Sequence, residues 1–266
     1  MIVDYHMHLR DDRGGIDHTV DAVEPFSARA AERGVDEIGF TEHVYYFEQT
    51  RSLWPWPYYL ERCRFDLAAY VDAVLEAKRR GLPVKLGIEV DWLGERAGEL
   101  AEILAPYPWD FLLGSVHMVG DHAIDNGEGL GIWAELPENE VWRRYTETLA
   151  AAARSGHFDV LSHPDLAKIY GVHGPDDLYA ELAAAVDDSG VALEISTAGL
   201  RKPVGELYPD ARLLQLSSAP VTFASDAHEP VLVGEDFDAA IDFARANGRD
   251  TVSVFDARVR RQEPLG

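Results

Sequence analysis

Short apolar, β-rich runs alternate with Ala-, Glu- and Arg-rich stretches along this whole chain, and few architectures accept that order. Strand signals are read over residues 1–4, 36–41, 84–90, 111–116, 158–162, 191–196, 220–225 and 251–255. Helical periodicity is read over 17–34, 65–80, 97–104, 141–156, 178–190, 211–217 and 237–247, several of these closing on glycine (Gly34, Gly156, Gly190). The result is seven or eight βα repeats, the pattern of a closed or distorted parallel barrel. No low-complexity tract or long linker divides them, so residues 1–266 are expected to form one domain.

Barrel enzymes carry their working side chains where the strands end. Here the residues found at strand exits are His6, His8, His43, Glu89, His117, His163, Asp226 and His228. The chain has ten histidines, and six of them fall in this set; His18, His122, His157 and His173 lie in predicted loops or helix ends. Buried parallel strands disfavour histidine unless it has a partner. In the first stretch, Met1-Ile2-Val3-Asp4-Tyr5-His6-Met7-His8, residues two apart point the same way, so His6 and His8 can address a single point. Imidazoles and carboxylates together suit zinc, iron or manganese.

The ordered set Asp4-Tyr5-His6-Met7-His8, Thr41-Glu42-His43, Gly87-Ile88-Glu89, Gly114-Ser115-Val116-His117, Ser162-His163-Pro164 and Ser225-Asp226-Ala227-His228 resembles the polymerase-and-histidinol-phosphatase (PHP) family. Two stretches resemble its monofunctional histidinol-phosphate phosphatases: Gly114–His117 with Ile124-Asp125-Asn126, and Ser196–Pro203 with Tyr208-Pro209. The resemblance implies a distorted (β/α)7 TIM-like barrel holding two or three divalent transition metals, zinc first and iron or manganese as alternatives. By the same resemblance His6, His8, Glu89 and Asp226 would hold one metal, with Glu89 bridging to a second held by His117 and His163. His43 and His228 would hold a third, completed from the loop after strand one by Asp12, with His18 in reserve. Asp226, His228 and Arg201 are the catalytic candidates, Arg201 or Lys202 gripping phosphate. His122 stands where relatives often carry an aromatic residue.

The implied reaction is hydrolysis of L-histidinol phosphate, a step of histidine biosynthesis; a nucleotide or 3′,5′-bisphosphate is the alternative substrate. Water on a divalent ion has its pKa lowered from ~16 to ~7, which makes hydroxide available near neutrality. That change corresponds to roughly 12 kcal/mol on the ionisation step. A hydrogen-bonded side chain does not match it. A non-catalytic metal-binding barrel is disfavoured by the complete ligand series. An amidohydrolase also opens with His-x-His, but none of Lys78, Lys85, Lys168 and Lys202 stands at a strand exit.

Composition narrows the partners. The formal charge is −23, which opposes nucleic acid and anionic membranes, and no apolar run approaches the ~20 residues of a membrane span. Distant carboxylates are screened beyond ~8 Å, so a small phosphorylated substrate remains compatible with bound cations. Cys63 is the single cysteine, read as a buried small residue, and a cytoplasmic, reducing location fits. The N-terminus does not read as a signal peptide. The sequence leaves the oligomeric state open. Two loops remain open in role. The aromatic segment Tyr45-Tyr46-Phe47 with Trp54-Pro55-Trp56-Pro57-Tyr58-Tyr59 either walls a pocket or covers the rim. The Gly-rich stretch 120–135, with Asp121, Asp125 and Glu128, either meets an ammonium group or is a surface excursion.

Overall fold

The computed structural model describes residues 1–9, 15–125 and 131–266. Its strands are β1 (Val3–Asp4), β2 (Glu37–Phe40), β3 (Val84–Asp91), β4 (Phe111–Ser115), the short antiparallel pair β5 (Met118–Val119) and β6 (His122–Ala123), β7 (Val160–Leu161), β8 (Ala192–Ser196), β9 (Val221–Ala224), β10 (Thr251–Asp256) and β11 (Val259–Pro264). The helices are α1 (Val20–Glu32), α2 (Pro57–Leu60), α3 (Leu67–Arg79), α4 (Ala97–Leu104), α5 (Glu138–Arg154), α6 (Asp176–Ser189), α7 (Ala211–Leu216) and α8 (Phe237–Ala246).

Seven strands pair in the order β1-β2-β3-β4-β7-β8-β9, all parallel. The ring is nearly closed. Beyond the short β1, Tyr5 N donates to Phe223 O of β9 (2.9 Å), and Met7 bridges Ala227 in parallel. This is the (β/α)7 TIM-like barrel expected of the chain. The helix periodicities hold because each apolar stripe has a sheet face to cover; α3, for example, buries Leu67, Tyr70, Val71 and Val74. Its start is fixed by the Asp66 carboxylate, which accepts from Ala68 N.

The eighth strand signal marks a strand outside the barrel. Residues 251–256 pair antiparallel with β11, not with β1. The hairpin closes the end of the barrel where the strands begin: Arg258 N donates to Asp110 O (2.9 Å), and Lys85 Nζ reaches Asp256 (3.0 Å). Phe255 meets Tyr5 and Phe111, with ring centroids 6.0 and 5.7 Å apart. Gly39 and Gly87 make room for this packing, since a Cβ at either would stand 2.6 Å from Phe111 Cζ. One end of the barrel is thereby filled with side chains, and the opposite end carries the polar groups. Among the described residues no helix is long and apolar enough to cross a membrane.

Candidate metal centre and active site

Parallel pairing sets the strand exits side by side. The main chain at His6-Met7-His8 is held on both flanks, by Thr41 N to Met7 O (2.9 Å) and by His8 N to Ala227 O (2.8 Å). His43 forms a parallel bridge with Glu89. The buried Asp4 carboxylate accepts from Ser225 N, Ser225 Oγ and Gly234 N at 2.9, 2.6 and 2.9 Å, which ties β1 to the loop carrying Asp226 and His228. Burial outweighs these bonds and raises Asp4 to about 6. His163 and Asp226 have positive φ, 26° and 51°, a backbone state that costs energy outside glycine and gathers at functional sites.

Glu89, wholly buried, stands at the centre. Its two oxygens face different groups. Oε2 lies 3.5 Å from His6 Nε2, 3.7 Å from His8 Nε2 and 2.5 Å from His43 Nδ1. Oε1 lies 3.4 Å from His117 Nε2 and 3.2 Å from His163 Nε2. Asp226 Oδ1 joins the first group at 3.7 Å from His6 Nε2 and 3.4 Å from His8 Nε2. His228 stacks on His8 with centroids 4.4 Å apart, and His8, His43 and His228 can place one ligand nitrogen each within 4.8 Å of one another. Eight of the nine metal-ligand candidates from the sequence thus meet at one place. The ninth, Asp12, lies outside the described residues.

These groups fit a divalent cation. His6 Nε2 and His8 Nε2 are buried and have no hydrogen bond among the described residues, a costly arrangement unless a ligand satisfies them. The charge balance agrees. Burial opposes ionisation of Glu89 and Asp226, yet the facing imidazoles hold both well below the usual carboxylate range. Burial likewise opposes the His117 proton, but Asp91 and Glu89 push it up to about 10; for His8, Asp226 and Glu42 overcome burial and push it up to about 9. The cage draws positive charge.

The model of the PHP domain matches residues 4–198. The chain belongs to the PHP domain family. A relative from Deinococcus radiodurans, named "Probable histidinol-phosphatase", is 33% identical over 93% of this chain and 94% of its own. A Lactococcus lactis protein named histidinol-phosphatase is 23% identical, covering 85% of this chain and 84% of its own. A solved structure of histidinol phosphate phosphatase from Lactococcus lactis, complexed with zinc, L-histidinol and phosphate, superposes with a TM-score of 0.72 at 21% identity, covering 98% of each chain.

In this PHP domain three acidic residues stand behind the imidazoles, and the sequence reading gave none of them a role. Glu194 of β8 accepts from His6 Nδ1 (2.8 Å) and, through its other oxygen, from His163 N (3.0 Å). Asp91 Oδ1 pairs with His117 Nδ1 (2.9 Å) and accepts from Tyr59 OH (2.7 Å). Glu42 lies 3.8 Å from both His8 Nδ1 and His18 Nε2. The signals were there. Glu194 is a carboxylate inside the apolar run Ala192-Leu193-Glu194-Ile195, and Asp91 shares a strand face with Glu89 two residues earlier.

His18, the reserve ligand, faces Glu42 and is ringed by Phe47, Phe65 and Tyr70; the cluster of His8, His43 and His228 does not include it. A cavity of about 930 Å³ opens over the cage, with Tyr45, Trp56 and Tyr58 in its wall and Asp121, Asp125 and Arg201 on its lining. The aromatic segment therefore walls the cavity. Tyr45 stacks between His43 and Tyr59, with centroids 4.8 and 3.9 Å away. Arg201 is held there by Nη2 donating to Ser225 O (2.5 Å) and by Glu235 at 3.7 Å from Nη1. The described residues of the stretch 120–135 carry regular structure that its sequence does not announce: β6 pairs with β5, and Ile132–Ala134 forms a 3-10 turn. Asn126 and Glu128 lie outside the described residues. His122 reaches Glu135 at 3.1 Å. Cys63 is buried and bonded to Tyr45 O, as a packed small residue should be.

Proposed function

We propose that this PHP domain is a metal-dependent phosphomonoesterase that hydrolyses L-histidinol phosphate to L-histidinol and phosphate. The observation that carries the reading is the division of Glu89, one oxygen toward His6 and His8, the other toward His117 and His163. The names of the relatives, and the ligands in the lactococcal structure, support the choice of substrate. In this reading His6, His8, Glu89 and Asp226 hold one ion, and Glu89, His117 and His163 a second. His43 and His228 hold a third, completed by Asp12. Zinc is the first choice, with iron or manganese as alternatives.

Bound divalent ions supply an acidified water and offset charge on the phosphate. The chain's own groups do the rest. Arg201, anchored on the Ser225 carbonyl, offers its remaining N–H groups to a phosphate oxygen. His228 keeps the cage wall at His8 in place by stacking. Hydrolysis joins a water oxygen to phosphorus and breaks the bond to the histidinol oxygen, which takes a proton. Asp226 both faces His6 and His8 and lines the cavity; held ionised by those imidazoles, it is assigned the transfer of a proton from the attacking water to that oxygen. Asp121 and Asp125, with the Trp56 and Tyr58 faces, suit the cationic end of an amino alcohol.

The test is phosphate release from L-histidinol phosphate compared with nucleoside monophosphates and a 3′,5′-bisphosphate, using protein whose metal content has been measured. A preference of at least about 100-fold in kcat/KM for histidinol phosphate is expected, roughly 3 kcal/mol of discrimination. Faster turnover of the nucleotides would transfer the assignment to them. Asp91 provides a second check. Because its carboxylate fixes the His117 ring, Asp91→Asn is expected to weaken metal binding by about 10- to 100-fold in a chelator competition; an unchanged affinity would reduce Asp91 to an anchor for Tyr59.

A further inference from the structure

Tyr208 lines the cavity beside the metal cage and brings to it a hydroxyl with no partner among the described residues. Its side chain is buried (1% exposed). A buried hydroxyl in that state is unusual in native proteins and marks a place where something else binds. The ring cannot swing away to find a partner. Tyr208 N and O are both bonded to Ser196, at 3.0 and 2.8 Å. One ring edge packs on Gly199, where an added Cβ would come within 3.0 Å of Cε2. Lys168 Nζ, bonded to Leu207 O (2.7 Å), stands 5.5 Å from the ring centroid.

We propose that the Tyr208 hydroxyl donates a hydrogen bond to a phosphate oxygen of the bound monoester. The inference rests on the phosphomonoesterase reading and deepens it. Three observations favour the phosphate end of the substrate. The Tyr208 ring lies 6.5 Å from that of His163, beside the cage and not at the rim. The same folded-back segment, closed by the Ser196–Tyr208 bridge, carries Arg201. The phenol also keeps its proton: burial and the carboxylates of Asp165, Asp226 and Asp125 all raise its pKa. It is a donor, and a phosphomonoester brings its charged acceptors on phosphorus.

The experiment is Tyr208→Phe, which removes one oxygen that no described residue bonds. Measured together are metal content, KM and kcat for histidinol phosphate and for p-nitrophenyl phosphate, and inhibition by inorganic phosphate and by L-histidinol. The expected result is a tenfold or greater fall in kcat/KM for both esters and a tenfold weaker phosphate inhibition, with L-histidinol inhibition and metal content as in the unaltered protein. Values within twofold throughout would overturn the proposal. So would a loss confined to histidinol phosphate and L-histidinol, which places the hydroxyl at the organic end. A fall in metal content would make Tyr208 part of the cage's scaffold and equally overturn it. Failure of the unaltered protein to hydrolyse either ester would instead count against the phosphomonoesterase reading itself.

Discussion

Glu89→Gln is expected to lower phosphatase turnover by at least about a thousandfold and to remove at least one equivalent of bound metal, with the fold intact. The thousandfold figure corresponds to about 4 kcal/mol, in line with the several kcal/mol attributed to a metal's charge stabilisation. Glutamine preserves the shape and can keep the bond from Ser115 Oγ, now 2.7 Å to Oε1. It loses the negative charge and one of the two acceptors. Four Nε2 atoms approach this carboxylate, two on each oxygen, at 3.2 to 3.7 Å. With an amide, one pair would face N–H groups and could share no cation with them. Asp226→Asn is the useful control, because Asp226 touches His6 and His8 alone of those four. It should deplete one ion and leave the His117–His163 pair loaded. Metal analysis, steady-state kinetics and circular dichroism on the two variants separate these outcomes. A Glu89→Gln protein with a full complement of metal and turnover within tenfold of the original would remove Glu89 from the centre of the site.

The sequence showed the barrel because its signals were local. A period of 3.6 or 2 over ten residues reports which face is buried, and a polar residue just past an apolar run reports a strand exit. It showed the cage for the same reason: His6, His43, His117, His163 and His228 each lie within four residues of a strand's end. The backing carboxylates were missed because their meaning lies in pairing between strands far apart in the chain. Glu194 acquires a role only once β8 stands where His6 of β1 can reach it, 188 residues away. The strand at Thr251–Asp256 teaches the same lesson in reverse. It was read correctly as a strand, but a strand signal does not name a partner, and an antiparallel neighbour joined by a two-residue turn won over β1. Tyr208 was seen only as part of a motif. That its hydroxyl lacks a partner is a property of the packed structure.

Removing the metal is expected to make the protein's stability fall as pH rises above neutrality. In the metal-free cage His8 is pushed up to about 9 and His117 up to about 10, burial being outweighed by the facing carboxylates. An unfolded chain holds these protons only below about 6.5. Each imidazole therefore contributes stability that is complete below pH 6.5 and lost as pH climbs through 9 to 10. For His8 the interval corresponds to about 3 kcal/mol. Glu89 and Asp226 share these contacts and are held low by them, so the pairs titrate together and their protons are counted once. The carboxylates' own share is present above about pH 4.5 and is lost on acidification. Metal binding needs neutral imidazoles, so loading the cage near pH 7.5 should release at least two protons per chain. Affinity should then rise about tenfold per pH unit for each proton displaced. Calorimetry of zinc addition in buffers of different ionisation enthalpy measures the release. Melting curves of chelated and loaded protein at pH 6, 7.5 and 9 measure the rest, and the gap between them should widen with pH. A metal-free protein that melts at the same temperature from pH 6.5 to 9, or zinc uptake with no proton release, would mean that the imidazoles around Glu89 are neutral before any ion arrives.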